Sequence, residues 1–174
     1  PAEPRVARVL EVGCGTGCIS LSLAWERRGH VTCTATDIEP RAIDLATKNR
    51  DALGLTADEV AFSLTNLVSS IPREEWGTFD ILVSNPPYIP TDVMRSLPHE
   101  VKDFEPDLAL EGGAAAPYML RAGGLFACEL YEGALDAAAE LCRQAGLSDV
   151  RIVRDLTDRP RIVRAIVIEP KQRQ

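Results

Sequence analysis

Asn85-Pro86-Pro87-Tyr88 directly follows the apolar run Phe79-Asp80-Ile81-Leu82-Val83-Ser84. An amide side chain is thereby placed at the carboxyl end of a predicted buried strand, where open α/β sheets hold their ligands. The two prolines fix the backbone rigidly. A planar NH2 group is a poor nucleophile because its lone pair is delocalised, so it must be oriented, and its developing positive charge supported, while it attacks an electrophile such as a sulfonium methyl. That work calls for hydrogen-bond acceptors, not for a strong base. The Asn85 side-chain oxygen and the Pro86 carbonyl can each accept one amide hydrogen and aim the lone pair, with positioning and electrostatics as the main catalytic terms. Tyr88 can pack over the flat group, which makes Asn85, Pro86 and Tyr88 the catalytic candidates. The bland alternative is an Asn-Pro turn that ends a strand, and features upstream argue against it.

The first of these is Glu11-Val12-Gly13-Cys14-Gly15-Thr16-Gly17, placed where a strand hands over to a helix. Its glycines let the main chain turn sharply and meet a ligand with no Cβ in the way. The spacing is G-x-G-x-G; Cys18 stands where a dinucleotide fingerprint needs its third glycine, which disfavours NAD and FAD. About twenty residues on, Asp37 ends the next strand, where an acid accepts the hydroxyl protons of a ribose. A tight turn without a ligand explains the glycines alone, but not the glycines together with Asp37 and the Asn-Pro-Pro-Tyr motif.

These residues need a sheet to hold them. Val9–Val12, Val31–Ala35 running on to Asp37, Val60–Leu64, Phe79–Val83, Leu125–Leu130, Val150–Val153 and Ile162–Ile168 are the strand candidates. Helices are predicted over Cys18–Arg28, from Pro40 to the stop at Gly54, and over Leu135–Ala145 before Gly146. Strands alternating with helices predict a parallel sheet covered on both faces. One stretch is inconsistent with that pattern. A parallel crossover from the Phe79 strand to the Leu125 strand calls for a helix of about a dozen residues, but little chain lies between Gly113 and Gly123, and Pro117 interrupts it. Residues missing near 113–117, through disorder or deletion, are expected; a short irregular crossover is the alternative.

With 174 residues, 45% of them hydrophobic, the chain is expected to form one domain, residues 1–174. Its net charge of -7 lacks the broad basic field that duplex binders use on phosphates. Cys14, Cys18, Cys33, Cys128 and Cys142 are odd in number and form no C-x-x-C pair, so reduced thiols in an intracellular compartment and no metal site are expected. Cys14 and Cys18 read as small residues packing a turn. No run is apolar enough to span a membrane and no signal peptide is visible, so a soluble protein of the cytoplasm or the mitochondrial matrix is expected. The start at Pro1, with no cap before the first strand, predicts further sequence upstream.

On its motifs the sequence resembles the release-factor glutamine N5-methyltransferases of the HemK type. The matching residues are Glu11 to Gly17, Asp37 with Ile38, and Ser84 to Pro90. Downstream, Glu100-Val101, Phe104-Glu105-Pro106, Ala109-Leu110 with Gly112-Gly113, and the basic turn Arg159-Pro160-Arg161 are similar as well. The Asn-Pro-Pro-Tyr motif is shared with adenine N6-methyltransferases, so the downstream segment carries the discrimination. The resemblance implies a Rossmann-like class I methyltransferase fold: a mostly parallel seven-stranded α/β sheet with helices on both faces and its last strand antiparallel.

It also implies S-adenosyl-L-methionine as cofactor, S-adenosylhomocysteine as product, and a peptide chain release factor, methylated on its Gly-Gly-Gln glutamine, as partner. The cofactor candidates are Glu11, Gly13, Cys14, Gly15, Thr16, Gly17, Asp37, Ile38, Asn66, Leu67 and Asn85; the substrate candidates are Asn85, Pro86, Pro87, Tyr88 and Glu105. Glu105 either orients the substrate loop or caps a turn. Asn66 stands where the family usually has an aspartate near the adenine amine, and an amide oxygen can accept the same hydrogen bond. By the resemblance, the family's helical amino-terminal domain is expected to be absent from these residues, and the segment after Gly113 to be shortened. His30 and His99 read as surface residues, and Glu26, Asp44 and Asp51 as solvated helix faces. Two other functions stay open: an adenine N6-methyltransferase, which would want a basic flank, and an inactive cofactor-binding scaffold.

Overall fold

The structure is a computed structural model that describes residues 5–86 and 115–171. Strands β1 (Ala7–Val12), β2 (Val31–Asp37), β3 (Val60–Leu64), β4 (Phe79–Ser84), β5 (Leu120–Glu129), β6 (Ser148–Arg154) and β7 (Pro160–Ile166) form a single sheet. Its order is β3-β2-β1-β4-β5-β7-β6. The strands from β3 to β5 pair in parallel, whereas β7 runs antiparallel to both of its neighbours. The expected seven-stranded sheet with an antiparallel last strand is the one observed.

Alternation along β1 shows why both faces need cover. Leu10 and Val12 join one buried cluster, with Phe79, Phe126 and Val163, while Val9 joins a second with Leu21, Cys33 and Val60. Successive strand residues face opposite sides, so Glu11 shares the Val9 face. Helix α1 (Cys18–Glu26) buries Leu21 and Ala24 on that face. Helix α2 (Pro40–Ala52) begins with Pro40 behind Glu39, whose carboxylate accepts the Arg41 amide at 3.2 Å, a favourable start for a helix. Helix α3 (Leu135–Gln144) covers the other face, burying Leu135, Ala138, Ala139 and Cys142 at the i, i+3, i+4, i+7 spacing of an amphipathic helix.

β5 departs from the sequence reading by starting at Leu120 instead of Leu125. Phe79 pairs with Leu120 and Ile81 with Leu125, so the extra residues of β5 bulge out of the ladder, and Gly123 takes φ +77° there. Two adjacent glycines in a strand mark such a bulge. Residues 115–119 are helical and lead straight into β5. The shortened stretch expected at 113–117 falls partly here, while Gly113 and Ala114 lie outside the described residues.

At the sheet edge away from the strands' carboxyl ends, nearly buried Asp80 gathers the start of the chain. Its carboxylate accepts Arg121 Nε at 2.5 Å, the Arg8 amide at 2.8 Å, and the Arg5 guanidinium. Burial pushes this carboxyl up, yet the Arg8 amide and the two guanidiniums outweigh it and hold it below the ordinary aspartate range.

Candidate active site

The strand order reverses between β1 and β4, and both strands point their carboxyl ends to the same rim. A reversal of this kind opens a crevice beyond the strand ends. The Ser84 hydroxyl donates to the Val12 carbonyl at 2.8 Å and locks the two ends together. Asn85 therefore emerges beside the glycine loop. It is exposed, whereas Pro86 is buried, and the Asn85 side chain has no partner among the described residues. Pro87, Tyr88 and Glu105 lie outside the described residues.

The loop itself is held by main-chain bonds. The Gly13 and Cys14 amides donate to the Thr36 carbonyl at 2.8 and 3.0 Å, and the Gly17 amide to the Cys14 carbonyl at 2.8 Å. Gly17 caps α1 at φ +78°, and a Cβ there would stand 2.9 Å from Phe62 Cζ. Gly15, at φ +54°, has nothing within 4 Å of where its Cβ would be. The loop thus packs tightly beneath Gly17 and presents open space at Gly15, a surface against which a small molecule can lie. Thr16 is exposed, and its carbonyl accepts Asn49 Nδ2 at 3.0 Å.

Asp37 carries more of the structure than its sequence position suggests. One carboxylate oxygen accepts the Gly15 amide at 2.8 Å and the other the Glu39 amide at 2.9 Å. Each oxygen keeps a second lone pair, so the carboxylate can brace the loop and still accept from ribose hydroxyls. Ile38 beside it is 40% exposed, an apolar side chain open to a flat ring. Across the rim, the Asp37 carbonyl accepts the Thr65 amide at 2.8 Å, which brings Asn66 and Leu67 to the same edge. Leu67 adopts φ +52°, a strained conformation for a leucine.

Glu11 sits below the loop at 2% exposure. One carboxylate oxygen accepts both the Ser20 amide, at 2.9 Å, and the Ser20 hydroxyl. Burial pushes its carboxyl above the ordinary value, the two Ser20 bonds pull it down in part, and the Asp37 charge adds to the rise. Cys14, also buried, has its thiol pushed up to about 12, chiefly by burial and then by Glu11 and Asp37. It is a packing residue, not a nucleophile. All five cysteines are free. No group of three His, Cys, Asp or Glu suited to a metal ion occurs among the described residues, nor any helix long and apolar enough to cross a membrane.

Residue patterns did not single out Ser20, Asn49 or Phe62, and they gave Ser84 only as part of the Ser84–Pro90 motif. Each acts by supporting the loop or by joining strand ends, and a lone serine or asparagine inside an element carries no spacing signal. One rim thus holds a carboxylate with free lone pairs at Asp37, the exposed apolar side chain of Ile38 and the open main chain at Gly15, chemistry that can receive a hydroxylated ligand with a flat ring.

The family described as "Methyltransferase small domain" matches residues 2–102. A release factor glutamine methyltransferase of Cereibacter sphaeroides is 38% identical over 175 aligned positions, covering 94% of this chain and 60% of that protein. One of Chlorobaculum tepidum is 38% identical over 159, covering 84% and 53%. The chain thus spans between half and two thirds of the length of these relatives. Among solved structures, a methyltransferase of Pyrococcus furiosus superposes with a TM-score of 0.70 at 18% identity, covering 95% of this chain and 77% of that one. A SAM-dependent methyltransferase of Aquifex aeolicus gives 0.69 at 17% identity, covering 95% and 85%; at such identities the likeness is one of fold. The family match over residues 2–102 settles the wider group: this chain belongs to the methyltransferase small-domain family.

Proposed function

We propose that the chain transfers a methyl group from S-adenosylmethionine to the side-chain amide nitrogen of a glutamine in a peptide chain release factor. The observation that carries this reading is the placement of Asn85 and Pro86 at the end of β4, bonded through Ser84 to the end of β1 from which the glycine loop rises. The relatives' names support the choice of acceptor.

When bound, S-adenosylmethionine would supply an electrophilic sulfonium methyl, with S-adenosylhomocysteine as the product. The main chain at Gly13 and Gly15 would line its methionine portion, Asp37 would accept from its ribose, and Ile38, Asn66 and Leu67 would border its adenine. Asn85 Oδ1 and the Pro86 carbonyl accept the two hydrogens of the target amide, which fixes its plane and turns its lone pair toward the methyl. Uptake of the methyl group would place positive charge on that nitrogen. The same two oxygens stabilise it, and one of the hydrogens they hold leaves as the proton. No general base is required, since the methylated amide loses that proton readily to water.

Labelled S-adenosylmethionine incubated with a purified release factor tests this directly. Label should appear on the factor, and should be lost with a Gln-to-Ala substrate and with Asn85→Ala enzyme. Label on adenine-containing DNA or RNA, and none on the factor, would instead identify an adenine methyltransferase. Cofactor binding with no acceptor labelled would identify a scaffold.

A further inference from the structure

The turn between β6 and β7 lies on the same rim as Asn85. Ser84 stands opposite Cys128, Glu129 opposite Ile162, and the Leu130 amide donates to the Arg161 carbonyl at 2.8 Å. Successive strands lie about 4.8 Å apart, so the foot of this hairpin stands roughly 10 Å to one side of the Asn85 strand. On the other side lie the glycine loop and Asp37. A macromolecule that places one side chain at Asn85 while a nucleoside fills the Asp37 side must therefore rest on the β5–β7–β6 rim.

The turn is built to display one apolar side chain. The Asp155 carboxylate accepts the Thr157 amide at 2.8 Å, the Thr157 hydroxyl at 2.7 Å and the Arg159 amide at 3.1 Å, and the Asp155 amide donates to the Arg159 carbonyl at 2.8 Å. These bonds hold the Asp155 carboxyl below its ordinary range. At the apex of this braced turn Leu156 is fully exposed, at 107%. A leucine held in water gains nothing for the fold, whereas its burial against a partner is favourable. Around it stand Arg154, Arg159 and Arg161; Arg154 and Arg161 face Asp158 and Asp155 at 3.7 Å, while the Arg159 guanidinium pairs with no carboxylate among the described residues. Residues 148–166 carry five arginines against three aspartates, in a chain whose net charge is -7.

We infer that the β6–β7 turn is a docking point for the protein substrate. Leu156 enters an apolar recess and Arg159 meets an acidic side chain on the substrate surface flanking the target glutamine. This rests on the function proposed above. The charge reversal against an acidic chain and the continuity with the Asn85 rim select an acidic protein face as the occupant.

The test compares the full chain with a Leu156→Ser/Arg159→Gln variant, and with Leu156→Met/Arg159→Lys as the conservative pair. Two substrates are used: a folded release factor and a short peptide containing its Gly-Gly-Gln. The Ser/Gln pair should raise KM for the folded factor about tenfold, with kcat, cofactor affinity and peptide turnover unchanged. The Met/Lys pair should restore most of the KM. An unchanged KM for the folded factor overturns the docking role, as does an equal loss on factor and peptide. It is likewise overturned if the variant only dissolves a dimer in sedimentation, which would mark a self-association surface, or only loses RNA binding. If the unaltered chain labels neither substrate, the proposed function itself fails and takes this inference with it.

Discussion

Gly17 is the residue of the loop with the least room for change. Alanine there would have to hold φ +78° with its Cβ 2.9 Å from Phe62 Cζ and 3.1 Å from Leu21 Cδ1. Left-handed strain and overpacking together are expected to destabilise Gly17→Ala by about 2–4 kcal/mol, read as a lower denaturant midpoint at an unchanged slope. Asn85 is the opposite case, being exposed and without a side-chain partner among the described residues. Asn85→Ala should leave the denaturant midpoint almost where it was and lower kcat on the release factor by roughly 10²–10³. Cofactor affinity should stay within about threefold if, as proposed, the Asn85 oxygen holds the target amide; a larger loss would assign it to the cofactor instead. A kcat unaffected by this substitution would remove Asn85 from the chemistry.

The bond from Glu11 to Ser20 joins two elements, β1 and α1, and so belongs to a larger scale. A carboxyl raised above its ordinary 4.5 in the folded chain keeps a proton that the unfolded chain has already released. Between 4.5 and the raised folded value the native state therefore binds more protons, and stability falls as pH climbs through that window. Glu11→Gln keeps an oxygen to accept from Ser20 and has nothing to titrate. Its melting temperature should lack this fall with pH, so a wild-type slope retained in the variant would assign the effect to another group. Elements such as β1, α1 and α2 were legible in the sequence because glycine, proline and apolar spacing all agree there. The early start of β5 was not, since a glycine pair at 123–124 reads as a loop until its pairing with β4 shows a bulge. In the same way, residue spacing located the loop and Asp37, but not Ser20, which holds Glu11 beneath the loop, because a hydrogen bond across nine residues leaves no periodic trace.

For the molecule as a whole, β1 links the two faces of the core to the candidate site. β1 contributes Leu10 and Val12 to one buried cluster and Val9 to the other, and its carboxyl end becomes the glycine loop. Asp37 ties that loop to β2 through Gly15, and Ser84 ties β4 to β1. A ligand that bridges the loop and Asp37 therefore adds a link between strands that unfold together, and stabilises the entire sheet by mass action. At about 100 times its dissociation constant, S-adenosylhomocysteine should add roughly 2.7 kcal/mol, which for a domain of this size raises Tm by about 5–10 °C. Asp37→Ala removes both the proposed ribose acceptor and the brace on Gly15. It should melt lower without ligand and show little of the shift at the same ligand concentration. Scanning calorimetry of both proteins with and without ligand separates the outcomes: a full shift in Asp37→Ala would place the nucleoside elsewhere on the rim. A shift in the native chain that vanishes in the variant would fix the cofactor between β1 and β2.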